Sequence, residues 1–151
     1  MTAPTIDHDT WILVADGQKA LFLCNEGDDE LRNFAVRRVE EQDNPPDREQ
    51  GTDRPGRMGD QGSAHRSSVA ETDWHQLAED RFAKDLSDIL YRMAHKNRFE
   101  KLVLVAPPRV LGELRQELHK EVQDKVIAEV AKDLTKHPVH EIEQLVLDSA
   151  A

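Results

Sequence analysis

The chain of 151 residues is poor in cysteine, in long apolar runs and in basic charge, and each shortage removes a class of protein. Its single cysteine, Cys24, cannot close an internal disulfide, and its place in Leu21-Phe22-Leu23-Cys24 suits a small buried hydrophobe. The longest apolar runs, such as Trp11–Ala15 and Leu102–Ala106, fall far short of the roughly 20 residues that span a bilayer. Met1 to Asp9 carries neither a basic cluster nor an apolar stretch, so no secretion signal is recognisable and the expected address is cytoplasmic. Thirty acidic residues against twenty Lys and Arg leave a net charge of −10. A protein whose whole surface grips nucleic acid is thereby excluded, because phosphate binding is driven by basic side chains. A local basic contact is not. Glycine and proline are also scarce, seven of each, yet four glycines and three prolines crowd between Glu40 and Thr72.

What remains reads as one α/β domain over 10–148, preceded by a tail at 1–9. Trp11–Ala15 and Lys19–Asn25 predict two strands joined at Asp16-Gly17, a turn pair that tolerates positive φ. Leu31–Val39 predicts a third strand. After a long loop, 40–72, a helix is expected from Asp73, whose spacing to Gln76 suits a capping box, to about Asn97. Its apolar stripe runs from Trp74 through Leu77, Phe82, Leu86 and Leu90 to Met93. Leu102–Ala106 is a continuous apolar run, as in a strand covered on both faces. Pro107-Pro108 opens a second helix, Val126–Ala131 is a fifth strand, and Pro138 starts a third helix. Crossover connections then make the last two strands parallel to the first. The result is a mixed five-stranded sheet of order 3-2-1-4-5 with three helices, similar to the ribonuclease-H-like arrangement.

Few constellations in this frame carry chemistry. A two-metal carboxylate cluster would need an acid at the end of the fourth strand, where Pro107-Pro108-Arg109 offers none, and Asp16 is accounted for by its turn. His137 and His140 lack a fixed third ligand, so no metal or other cofactor is expected. Ser63, Ser67 and Ser68 lie near His65 and His75 without a nucleophile elbow. The segment 56–66, Gly-Arg-Met-Gly-Asp-Gln-Gly-Ser-Ala-His-Arg, is more suggestive. With Arg48 and Arg54 of the same loop, its Arg57 and Arg66 offer forks suited to phosphate, its glycines let backbone N–H groups approach an anion, and Gln61 carries both a donor and an acceptor. Its bland alternative is a solvated connector.

Trp-Ile-Leu-Val-Ala-Asp-Gly at 11–17, Gly-Arg-Met-Gly-Asp-Gln-Gly-Ser at 56–63, Val-Ala-Pro-Pro-Arg-Val-Leu-Gly-Glu-Leu-Arg at 105–115 and the segment 129–135 resemble the bacterial host attachment protein family. That family is in turn similar to the central domain of archaeal and eukaryotic peptide-chain release factors. There a Gly-Gly-Gln loop follows the strand meander and precedes the long helix, the place held here by Gly59-Asp60-Gln61-Gly62. The resemblance implies a ribosome- or RNA-associated module and, for Gln61, a catalytic part in peptidyl-tRNA hydrolysis. It implies binding by Arg57, Gly59, Asp60, Gly62 and Arg66, with the arginines on RNA phosphates. Asp60 in place of the second glycine and Gly62 after the glutamine depart from the pattern. The length leaves no room for codon-reading domains. The alternative is a non-enzymatic interaction or regulatory protein that affects host attachment indirectly; the residues do not bear on oligomeric state.

Overall fold

In the computed structural model, residues 6–42 and 64–150 are described, with the backbone alone for 64–75 and 150. Five strands form one sheet: β1 (Trp11–Ala15), β2 (Lys19–Asn25), β3 (Phe34–Glu41), β4 (Leu102–Val105) and β5 (Val126–Val130). Their order is β3-β2-β1-β4-β5, with β1 antiparallel to β2 and parallel to β4, and β4 parallel to β5. The central strands are the two whose sequences are apolar at nearly every position. That pattern belongs to a strand with side chains buried on both faces.

Among the described residues four helices cover the sheet: α1 (Ala64–His95), α2 (Pro108–Glu117), α3 (Lys120–Gln123) and α4 (Val139–Ala150). Leu13, Phe22 and Leu104 on one face meet Phe82, Leu86 and Leu90 of α1 and Leu111 and Leu114 of α2. Ser87 ties the two helices by donating to the Glu117 carbonyl at 2.6 Å. Ile12, Val14, Val103 and Val105 on the other face meet Ile142 and Val146 of α4. Residues 6–9 pack at the amino end of β1, where Ile6 is buried and Asp7 pairs with Lys101 at 2.9 Å.

Four local expectations change. Strand β3 begins at Phe34 rather than Leu31, because the Asp28 carboxylate accepts the Glu30 and Leu31 N–H groups and holds them in a turn. The long helix is already formed at Ala64, and Asp73 lies inside it. Residues 64–72 contain no Gly or Pro to stop it, so the expected loop 40–72 is trimmed by strand through Glu41 and by helix from Ala64. The turn after β1 is closed by side-chain chemistry, with no positive φ at Gly17. Asp16 Oδ1 accepts the N–H groups of Gln18 and Lys19, each at 2.7 Å. The short helix α3 was not expected.

Candidate functional site

Parallel pairing puts the carboxyl ends of β1, β4 and β5 on one edge of the sheet. Strand β3, antiparallel to β2, ends on the same edge, with Glu41 opposite Lys19 and the Gln42 N–H donating to the Gln18 carbonyl at 2.7 Å. Gln42, the last described residue before Ala64, therefore lies at this edge. The chain is next described on α1, whose Glu79 lies over Gly17 at the same edge. A Cβ on Gly17 would come within 2.8 Å of that carboxylate, so a larger residue there would require the Glu79 side chain to swing aside. Residues 64–78 extend α1 by roughly 22 Å ahead of Glu79 at the usual helical rise.

Around this edge most of the polar side chains satisfy one another, with Glu113 the exception. The Thr135 hydroxyl sits 2.8 Å from Asp16 Oδ2 and 3.1 Å from Asp133 Oδ1, either of which can take its proton. With both oxygens engaged, Asp16 is the structural acid its turn position suggested. At the start of α2, Arg109 lies 3.6 Å from Glu113 and 4.0 Å from Glu79. Gln76 on α1 donates to Asp80 at 3.0 Å and to Glu113 at 3.2 Å. Burial, with Asp80 nearby, raises the Glu113 carboxyl above its ordinary value of 4.5, against the lowering effect of Gln76 and Arg109. Its Oε2 has no hydrogen-bond partner among the described residues. The i,i+4 spacing of Arg109 and Glu113 was visible in the sequence. Their convergence with Gln76 and Glu79, over thirty residues earlier, was not.

The residues singled out in sequence stand as follows. Arg57, Gly59, Asp60, Gln61 and Gly62 lie outside the described residues. The backbone of Arg66 lies in the first turn of α1, well ahead of Glu79. Ser67, Ser68 and His75 are on the same helix. His137 pairs with Glu141 at 3.0 Å, and among the described residues no three His, Cys, Asp or Glu side chains converge as a metal site would need. No helix among them is long and apolar enough to cross a membrane.

A comparison with curated proteins finds an uncharacterized protein of Rickettsia prowazekii (strain Madrid E), 38% identical over 53 residues, a stretch that covers 35% of each chain. The match thus spans about a third of that relative's length. A family model, bacterial archaeo-eukaryotic release factor family 12, matches residues 9–146, nearly all of the domain. The match carries the release-factor side of the resemblance; nothing in it carries the host-attachment name. It includes all five strands, the segment 43–63 and most of the four helices. This chain belongs to bacterial archaeo-eukaryotic release factor family 12.

Proposed function

We propose that this protein is a translation-associated module that meets the ribosome or its RNA through the tip at 57–66. The observation that supports it is the release-factor family match across 9–146, which includes Gly59-Asp60-Gln61. Strand β3 ends at the carboxyl edge and α1 starts at Ala64, roughly 22 Å ahead of Glu79, an arrangement that supports a contact on this side of the sheet. In this reading Arg57 and Arg66 hold phosphate oxygens, and the backbone at Gly59 and Gly62 permits close approach. Gln61 orients a water whose oxygen attacks the peptidyl ester carbonyl. The bond to the tRNA 3′ oxygen breaks, and the products are a free peptide acid and a tRNA hydroxyl. Under this reading the protein works in the cytoplasm.

Ribosome co-sedimentation and a peptidyl-tRNA hydrolysis assay test both halves. Arg57→Ala/Arg66→Ala should weaken ribosome binding and flatten its salt dependence, since fewer counterions are released. Gln61→Ala should keep binding and lose hydrolysis, because water positioning acts on the transition state. Wild-type protein that neither sediments with ribosomes nor cleaves peptidyl-tRNA would overturn the reading in favour of a non-enzymatic interaction protein.

A further inference from the structure

Between α1 and the edge strand β3 lies an open groove of about 370 Å³ on the α1 face of the sheet, lined by Trp11, Arg37, Arg38, Arg92, Lys96 and Arg98 over a floor of Ile89 and Met93. Five of the chain's twenty Lys and Arg thus face one cavity, and among the described residues no carboxylate lines it. In a protein of net charge −10 such a concentration is a local reversal of sign.

Two backbone irregularities build it. In β3, Val36 pairs with Leu23 and Arg38 with Phe22, so Arg37 is an extra residue in the ladder. A bulge of this kind re-aims side chains, and here two consecutive arginines reach the same groove. Arg38 also lies 5.9 Å from the Phe22 ring centroid, which holds its guanidinium at the groove wall. At the end of α1, Asn97 takes a left-handed φ of 55°, with the Arg98 N–H donating to the Met93 carbonyl. This cap folds the chain back and sets Arg98 beside Arg92 and Lys96.

Favourable placement of cations at a helix carboxyl end would explain Arg92, Lys96 and Arg98 alone. It does not explain Arg37 and Arg38, which come from a strand. Those two carry partners, Glu26 at 2.8 Å and Glu40 at 2.5 Å. Among the described residues no carboxylate lies within 4.0 Å of Arg92, Lys96 or Arg98. Half-buried Trp11 adds an aromatic surface between the cations. Arginine forks, an indole and an open groove together suit a flexible polyanion in which every unit carries a stackable base better than an acidic peptide, whose carboxylate side chains offer no aromatic face.

The geometry points to this groove as a binding site for the phosphate backbone of single-stranded RNA, with Trp11 as a stacking surface. It goes beyond the proposed function: Arg92 is 28 residues along α1 from Ala64, a separation of roughly 42 Å, so this contact is distinct from the tip.

Anisotropy of a labelled 12-nucleotide RNA tests it on the full chain. Arg92→Gln/Lys96→Gln/Arg98→Gln retains the aliphatic stems and helix propensity, while Lys120→Gln/Lys132→Gln/Lys136→Gln removes the same charge from exposed positions outside the groove. The groove variant should bind at least about tenfold more weakly, with a log–log salt slope shallower by about 2, as expected for three lost phosphate contacts on a single strand. The control should change less than about twofold. Thermal unfolding confirms that both variants are folded, and Arg92→Gln alone, an exposed change, provides a smaller shift in the same direction. Equal losses in both triple variants, no loss in the groove variant, or no wild-type binding would overturn the proposal. So would displacement of the RNA by inorganic phosphate or a mononucleotide at equal concentration, which would make this a small-anion site. Oligonucleotide binding that persists in a protein unable to sediment with ribosomes would remove the translation reading and leave the groove standing.

Discussion

The carboxyl edge of the sheet and the groove beside β3 use charge in opposite ways. At the edge, Asp16, Thr135, Gln76, Glu113 and Arg109 are tied to one another by hydrogen bonds and ion pairs across β1, α1, α2 and the segment after β5. In the groove, Arg92, Lys96 and Arg98 face a cavity without a carboxylate in reach among the described residues. A side chain whose polar atoms are already matched contributes to holding the fold; a cluster of like charges left facing solvent costs repulsion and offers that charge to a ligand. The difference separates residues that are matched within the fold from residues that are available for binding.

The sharpest way to break this contrast is at Asp16. Asp16→Ala removes the acceptor for Gln18, Lys19 and Thr135, and should cost about 2 kcal/mol in urea unfolding, since hydrogen bonds to charged groups contribute about 1.5–3 kcal/mol. A folded, fully stable variant that loses only activity would move Asp16 from the scaffold to the chemistry. The groove triple variant is the counterpart. It should change unfolding free energy by no more than about 0.5 kcal/mol while weakening RNA binding, because exposed cations without partners hold little of the fold.

Glu113 allows a finer test with a defined sign. Its carboxyl is raised above 4.5, so the folded protein binds that proton more tightly than the unfolded chain. The ionised form is therefore a liability above the raised value, and the liability fades as pH falls through it towards 4.5. Glu113→Gln should raise the melting temperature at pH 7, with the gain shrinking in acid. A gain that grows as pH falls would contradict the assignment. Asp7 behaves oppositely: hydrogen bonds from Lys101 and then Thr10 hold it below 3.8. Asp7→Asn should lower the melting temperature at pH 7, with the difference disappearing as pH drops below that value. The smallest effect belongs to the exposed pair Arg115–Glu129, where Arg115→Gln should lower the melting temperature least, and less again at high salt.

Much of the architecture was legible because it is local or periodic. The apolar runs of β1 and β4, the turn acid Asp16, Pro108 opening α2 and Asn97 ending α1 all act through their immediate neighbours. The sheet order followed from those elements and the crossover rule. Local signals failed where two of them competed. Leu31 has the apolar character of a strand residue but is 79% exposed, because the Asp28 side chain captured its N–H. Asp73 and Gln76 have the spacing of a cap, yet the helix had started earlier.

The rest depends on residues far apart in the chain. Glu79 lies over Gly17, and only packing of α1 on the sheet brings the two together. The carboxyl edge assembles acids and their partners from β1, α1, α2 and the segment after β5, separated by as many as 119 positions. The sequence alone determined that basic residues are outnumbered by acidic ones and where they fall. That Arg37 and Arg38 share a groove with Arg92, Lys96 and Arg98 was decided by a bulge in β3 and a left-handed residue after α1. Charge is a property of composition, but its concentration at one place is a property of distance, and distance between remote residues exists only once the chain has packed.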